Sequence, residues 1–297
     1  MVPNPPGPDE IAVARAENVA RKAALGPGPD MAETHTFTIP RSDAPPVTVR
    51  LLVPTPEPTG LLIYLHGGGW VMGSIDTFDR LGRVLARRSG FAVLMVDYAK
   101  APEYPYPAAV EDAWATLLWA IDNADAELAA LDMSLRAGWP LVIGGDSAGG
   151  NLATVCARRA RDAGFHHVTG QLLIYPVTDS DPDRAAYVAD PERRANLLQL
   201  WELYCPPEHR DDPDAAPLRA ESLAHLPRTL LVTAEDDLLN DECADYAARL
   251  AADGVGVDCH VITGLPHGAI SYWGTEPEAD RAIDVIAHWL RTIEESS

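Results

Sequence analysis

The sequence predicts an α/β chain, with a doubly wound, mostly parallel central sheet of about eight strands, helices on both faces and a small helical cap. Three observations predict it. Five runs are continuously apolar, 61–65, 91–96, 141–143, 172–175 and 229–232, the pattern of strands buried on both faces, as in a parallel sheet. Helical stretches separate these runs, so strand and helix alternate. One segment, 178–226, is too long, acidic and proline-rich for a strand-to-strand link and reads as an insertion over the active edge. In such a fold, ligands bind beyond the carboxyl ends of the strands.

Taken in order, residues 1–9 hold four prolines and are expected to be loose, and 10–25 is an alanine-rich helix stopped by Gly26-Pro27-Gly28. This N-terminal segment, 1–30, precedes the main α/β domain, 31–297, and can fold over its sheet. Phe37 and Ile39 alternate with polar residues, as do Val47, Val49, Leu51 and Val53 after the turn-forming stretch 41–46. That is an antiparallel pair with one buried face. Helices are expected at 79–88, 108–120, 148–163 and 241–252, and an amphipathic helix at 193–204 inside the insertion. A strand at 257–262 leads to a last helix near 277–293. Coming late, that strand is expected at a sheet edge, where pairing of two copies would make a two-fold dimer.

The 297 residues fit one α/β core with an insertion, and 47% hydrophobic content argues against disorder. A net charge of −21, from 44 acidic and 23 basic residues, disfavours nucleic acid and anionic membrane as partners. Cys156, Cys205, Cys243 and Cys259 show no metal spacing. No secretory h-region and no run of 18 apolar residues occurs, so the expectation is a cytoplasmic protein with reduced thiols and no bilayer anchor.

The chemistry gathers at strand ends. Gly145-Asp146-Ser147-Ala148-Gly149 fits G-x-S-x-G, a strained strand-to-helix turn that presents a serine at the sheet edge. Its glycines leave room where a side chain would strike the neighbouring strand or helix. His66-Gly67-Gly68-Gly69-Trp70 directly follows the 61–65 strand, and successive glycines there let backbone N–H groups turn toward one oxyanion. With the N–H of Ala148, Gly68 and Gly69 would complete an oxyanion hole. His66, at the strand end, is expected to brace the loop. Of nine histidines, His267 alone follows the last strand at the carboxyl edge, and Glu235, Asp236, Asp237 and Asp241 stand in the loop that could orient it. Serine, acid, histidine is the order this architecture uses.

These motifs resemble the hormone-sensitive-lipase-type esterases, a bacterial branch of the α/β-hydrolases. Over roughly 50–295, His66–Trp70 is similar to the HGGGW/F box, 97–103 to DYRLAPE, 145–150 to GDSAGG, 237–242 to DPLRDE and 267–269 to HGF. Leu238, Asn240 and Ala269 depart from that pattern, at positions that bear on the acyl pocket. The resemblance implies a metal-free, cofactor-free esterase with a cap made of the N-terminal segment and the insertion, and it also implies a homodimer. It places the catalytic acid on Asp237. The residues agree: Leu238-Leu239 would pack the loop on the core and turn Asp237 inward and Asp236 outward, Glu235 could brace the loop, and Asp241 and Glu242 would cap the next helix.

The expectation is a serine carboxylesterase for small-molecule, short-chain acyl esters, with Ser147 as nucleophile, His267 as base and Asp237 orienting it. Trp70, Leu197, Leu200, Trp201 and Tyr204 are candidates for the substrate walls. Two readings stand beside it: an acetyl hydrolase dedicated to one metabolite, and a non-catalytic receptor on the same scaffold. A receptor would be expected to lack a triad member, and none is missing.

Overall fold

A computed structural model describes residues 5–136 and 138–294; the expected loose start overlaps 1–4, outside the described residues. The strands β1 (Glu33–Ile39), β2 (Val47–Val53), β3 (Leu61–Leu65), β4 (Ala92–Asp97), β5 (Leu141–Asp146), β6 (Val168–Ile174), β7 (Arg228–Asp236) and β8 (Val257–Pro266) form one sheet, in the order β1-β2-β4-β3-β5-β6-β7-β8. β1–β2 and β2–β4 pair antiparallel, and the pairs from β4 to β8 are parallel. The helices are α1 (Pro8–Ala23), α2 (Ile75–Ser89), α3 (Ala108–Ala130), α4 (Ala148–Asp162), α5 (Ala185–Ala189), α6 (Pro191–Tyr204), α7 (Asn240–Ala252) and α8 (Pro277–Glu294). From β3 the chain passes to β4 on one side and later to β5 on the other. The crevice beyond β3 and β5 is therefore a topological switch point, where ligands bind in such sheets.

The continuous apolar runs follow from burial on both faces. Val49, Leu51, Ile63, Leu94, Ile143 and Leu231 pack with Leu117 of α3, Leu152 and Val155 of α4 and Leu250 of α7. On the other face, Leu62, Val93, Met95, Val142, Leu172 and Leu230 pack with Leu81 and Leu85 of α2 and Ile286 and Leu290 of α8. Burying each such side chain contributes about 1.5–3 kcal/mol, so neither face tolerates water. β8 lies at the sheet edge, as expected from its late position. The four cysteines are unpaired, with Cys259 exposed and the others buried. Among the described residues no helix is long and apolar enough to cross a membrane.

Some boundaries move for local reasons. α1 starts at Pro8, whose missing N–H suits a first helical position. α2 starts earlier than expected because Ser74 caps it, its Oγ accepting the Thr77 N–H at 3.2 Å. α3 runs ten residues beyond Ala120, held by the burial of Ala124 and Leu128 within a stretch of acids and small residues whose periodicity is faint. Inside the insertion, α6 stands over the active edge, whereas the chain beyond Tyr204 runs back across α4 and α7. Asn151 Nδ2 donates to Ala215 O (2.9 Å), Arg161 Nη1 to Ala224 O (2.8 Å) and Arg249 Nη1 to Leu218 O (2.6 Å).

Glu242 is not a helix cap. Its carboxylate is fully buried and accepts from the Thr178 N–H (2.6 Å) and the Tyr187 hydroxyl, tying the start of the insertion to α7. Burial pushes this carboxyl up to about 7, against the pull of those hydrogen bonds. An unfolded glutamate titrates at about 4.3, so the folded state holds the proton longer and loses stability as pH rises between the two values. Glu242→Ala strands both donors and is expected to lower the unfolding free energy by about 2–4 kcal/mol. Glu242→Gln should lose less, and should gain on wild type as pH rises from about 4.5 to 7; urea unfolding at both pH values measures each.

Candidate active site

β5 enters the switch point and turns at Ser147 directly into α4. Ser147 holds φ 54° and ψ −119°, a conformation that costs a non-glycine residue about 1–3 kcal/mol. Three backbone bonds clamp the turn: the Ser147 N–H donates to Ile174 O (2.8 Å), and Ser147 O accepts from the N–H groups of Asn151 (3.0 Å) and Val177 (3.2 Å). A Cβ on Gly145 or Gly149 would run into the Leu65 carbonyl oxygen. β3, β5 and α4 thus meet backbone to backbone, and Ser147 is left lining the cavities at the edge.

The loop after β3 is bent by Gly68 (φ 124°), Gly69 (φ 60°) and Trp70 (φ 59°), and closed by N–H donation from Val71 and Met72 to Gly68 O. Among the described residues, the N–H groups of Gly68, Gly69 and Ala148 have no protein acceptor. All three are free for an oxyanion. His66 braces the loop: it is fully buried between the rings of Phe78 and Tyr98, with Nδ1 2.8 Å from Gly67 O. Burial drives its pKa down to about 3, so it stays neutral.

Asp146 has a role that reading the motif missed. Its buried Oδ1 accepts from the Gly67 N–H (2.8 Å) and the Tyr64 hydroxyl (2.9 Å), joining the glycine loop to the serine turn. The available signal was an acid on a buried strand end, which must find donors there.

Asp237 and His267 are brought together by strand pairing. β7 and β8 stay paired to Asp236 opposite Pro266, across a register shift after Ala234, so the next residue on each strand is a site residue. Glu235 braces this shift, accepting the Gly264 N–H at 3.0 Å. Asp237 Oδ2 lies 2.7 Å from His267 Nδ1, and His267 Nε2 lies 3.0 Å from Ser147 Oγ. The Asp237 side chain is 2% exposed, whereas that of Asp236 is 72% exposed and pairs with Arg193 at 2.8 Å. Burial pulls the His267 pKa down, but the hydrogen bond and charge of Asp237 outweigh it and the net shift is upward. Chemically, a carboxylate that fixes the proton on Nδ1 leaves Nε2 free to take the Ser147 proton.

Two lobes flank Ser147. The first, about 210 Å³, is apolar and lies under α6, with Trp70, Val177, Leu197, Leu200, Leu238 and Leu239 in its walls. Of the candidate wall residues, Trp70, Leu197 and Leu200 line this lobe. Trp201 and Tyr204 do not: both are buried behind Trp70, with the Tyr204 ring stacked on it at 4.1 Å and Trp201 at 5.0 Å. These four α6 residues share one helical face, but its carboxyl half is pressed on the back of Trp70 and only the amino half reaches the cavity. The second lobe, about 430 Å³, lies between the glycine loop, Tyr272 and the α1 residues Asn18, Arg21 and Lys22. Reading the sequence assigned no site residue to α1.

A model of the alpha/beta hydrolase fold family matches residues 62–271. Esterase LipI of Mycobacterium tuberculosis is 39% identical over 228 residues, 75% of this chain and 69% of LipI. Ethyl acetate hydrolase of Pseudomonas putida is 32% identical, over 84% of this chain and 79% of its own. Among solved structures, the thermostable carboxylesterase EstE1, cloned from a metagenomic library, is similar with a TM-score of 0.87 and 34% identity, covering 95% of this chain and 97% of its own. By fold, motifs and likeness, the chain belongs to the α/β-hydrolase family, in its hormone-sensitive-lipase-type branch of esterases.

Proposed function

We propose that this carboxylic ester hydrolase is a serine carboxylesterase that cleaves short-chain acyl esters through an acyl-enzyme on Ser147. The observation that carries the reading is the hydrogen-bonded line from Asp237 through His267 to Ser147 Oγ. His267 takes the serine proton as Oγ attacks the ester carbonyl, and the carbonyl oxygen gathers negative charge facing the N–H groups of Gly68, Gly69 and Ala148. The C–O bond to the alcohol then breaks as His267 returns the proton to the leaving oxygen. Water, deprotonated by the same imidazole, releases the acid. Asp237 keeps the imidazole in one tautomer and stabilises its protonated form without taking the proton. The segment 1–30 and the insertion act as the cap, through α1 and α6.

The acyl chain takes the apolar lobe. This lobe is small, about 210 Å³, and walled by leucines and Trp70, which suits an acyl chain of up to about hexanoyl length. The relative named for ethyl acetate hydrolysis acts on a short ester. Each added methylene gains about 0.8 kcal/mol until the lobe is full, so kcat/KM on p-nitrophenyl esters should rise toward hexanoyl and fall beyond it. Faster cleavage of hexadecanoyl than of butanoyl esters would refute the size limit.

Asp237→Asn should preserve the fold and cut turnover by something like 10⁴, as loss of the orienting acid does in serine triads. Asp236→Asn should have a small effect, because its partner Arg193 is an exposed surface pair. The reverse order, measured on p-nitrophenyl butanoate, would move the acid by one residue.

His267 must be neutral to act as base, and its pKa is raised, so activity is lost as pH falls through that raised value. The acid limb of kcat/KM is therefore expected above the ordinary histidine value of about 6.5. In Asp237→Asn, burial is opposed only by the weaker pull of Asp146 and Glu242, and the limb should move down. A pH–rate profile of both proteins checks the sign.

A further inference from the structure

The lobe beside α1 has a character that ester chemistry does not require. Acids outnumber bases in this chain, and most of the arginines are engaged: Arg15, Arg50, Arg158, Arg159 and Arg184 each pair with carboxylates. The side chains of Lys22 and Arg21, which line the lobe together, have neither an ion pair nor a hydrogen bond among the described residues. The Lys22 ammonium is held instead over the rings of Tyr272 (4.5 Å) and Phe78 (5.2 Å). Burial pulls its pKa down to about 8, with Asp146 opposing, so it is still charged at neutral pH. Asn18 lines the same lobe, and its Oδ1 is buried without a donor.

The position of Lys22 is built in. Arg15, Asn18 and Lys22 stand at i, i+3 and i+7, one face of α1. Arg15 anchors that face: its Nε donates to Val71 O (3.0 Å), its Nη2 donates to Ala101 O (2.9 Å), and it pairs with Glu103. α1 is thereby fixed to the glycine loop, with Lys22 on the lobe that Ser147, Gly68 and His267 also line.

We propose that this lobe is a subsite for a carboxylate carried by the alcohol part of the ester, with Lys22 as the cation that receives it and Arg21 attracting it at the rim. This rests on the esterase reading, with the acyl chain in the apolar lobe and the alcohol part in this one. The local charges point to a single negative charge. Lys22 and Arg21 face Asp146, whose carboxylate already serves Gly67 and Tyr64, and the base His267. A dianionic phosphate would meet that carboxylate with too little compensation.

The test compares 3-(butanoyloxy)benzoate with 3-(butanoyloxy)benzamide, which share acyl group and shape and differ in charge. Wild type is expected to prefer the benzoate by about tenfold or more in kcat/KM, the scale of one charge-assisted hydrogen bond, chiefly through KM. Lys22→Met should bring that ratio to about one, and Lys22→Arg should restore most of it. A wild-type ratio of one or below, or a Lys22→Met ratio equal to wild type, overturns the subsite while cleavage of the benzamide ester leaves the esterase reading standing. Failure to cleave either probe or p-nitrophenyl butanoate would overturn the esterase reading, and the subsite with it. Should Lys22→Met not fold, wild type alone decides. Inhibition of p-nitrophenyl butanoate hydrolysis should be at least tenfold tighter with 3-hydroxybenzoate than with 3-hydroxybenzamide, and equal inhibition overturns the proposal.

Discussion

The buried carboxylate of Asp146 is the contact on which the geometry of the site depends. It closes β5, accepts the Gly67 N–H from the loop after β3, and is held in turn by the Tyr64 hydroxyl. Burial raises the pKa of this carboxyl, and those two donors oppose the shift without cancelling it. In a low-dielectric interior such bonds are strong, and breaking one leaves an unpaired group whose desolvation is costly. The consequence is that the N–H groups of Gly68 and Gly69 are set relative to Ser147 before any substrate arrives, which is what electrostatic preorganisation requires.

The remaining parts of the site are also placed by rigid elements. Ser147 keeps a left-handed backbone because β3, β5 and α4 touch without side chains at Gly145 and Gly149, and their packing supports the strain. Asp237 and His267 are the first residues past a paired stretch of β7 and β8, so their separation is set by the inter-strand spacing. Glu235 holds the shifted register. Elements of this kind fix a catalytic geometry more closely than free loops do.

The cover over the site is built differently. α6 offers leucines to one side of Ser147 and α1 offers cations to the other, and neither belongs to the sheet. α6 is wedged by Trp70, with Trp201 and Tyr204 behind it, and α1 is tethered through Arg15. On the proposed reading, the chemistry resides at strand ends and the selectivity in attached helices, which can change without disturbing the former.

By itself, the sequence determined the order and type of nearly every strand and helix, because burial on both faces leaves continuous apolar runs and glycine marks the turns that need it. It also singled out Ser147, His267, the glycine loop and a small group of acids, since each stands at a strand end in a local pattern. The separation of Asp237 from Asp236 was legible in part, through Leu238-Leu239, and its geometry comes from pairing across β7 and β8. Other features were decided only by tertiary structure. Asp146 became a brace, Glu242 a buried tie to Thr178 and Tyr187 in place of a helix cap, Trp201 and Tyr204 a backing for Trp70, and Lys22 part of a cavity wall. In each case the role is set by a partner far away in the chain, 79 residues off for Asp146 and Gly67 and 64 for Glu242 and Thr178. Local periodicity reports which side of an element is buried, and carries no information about what it is buried against.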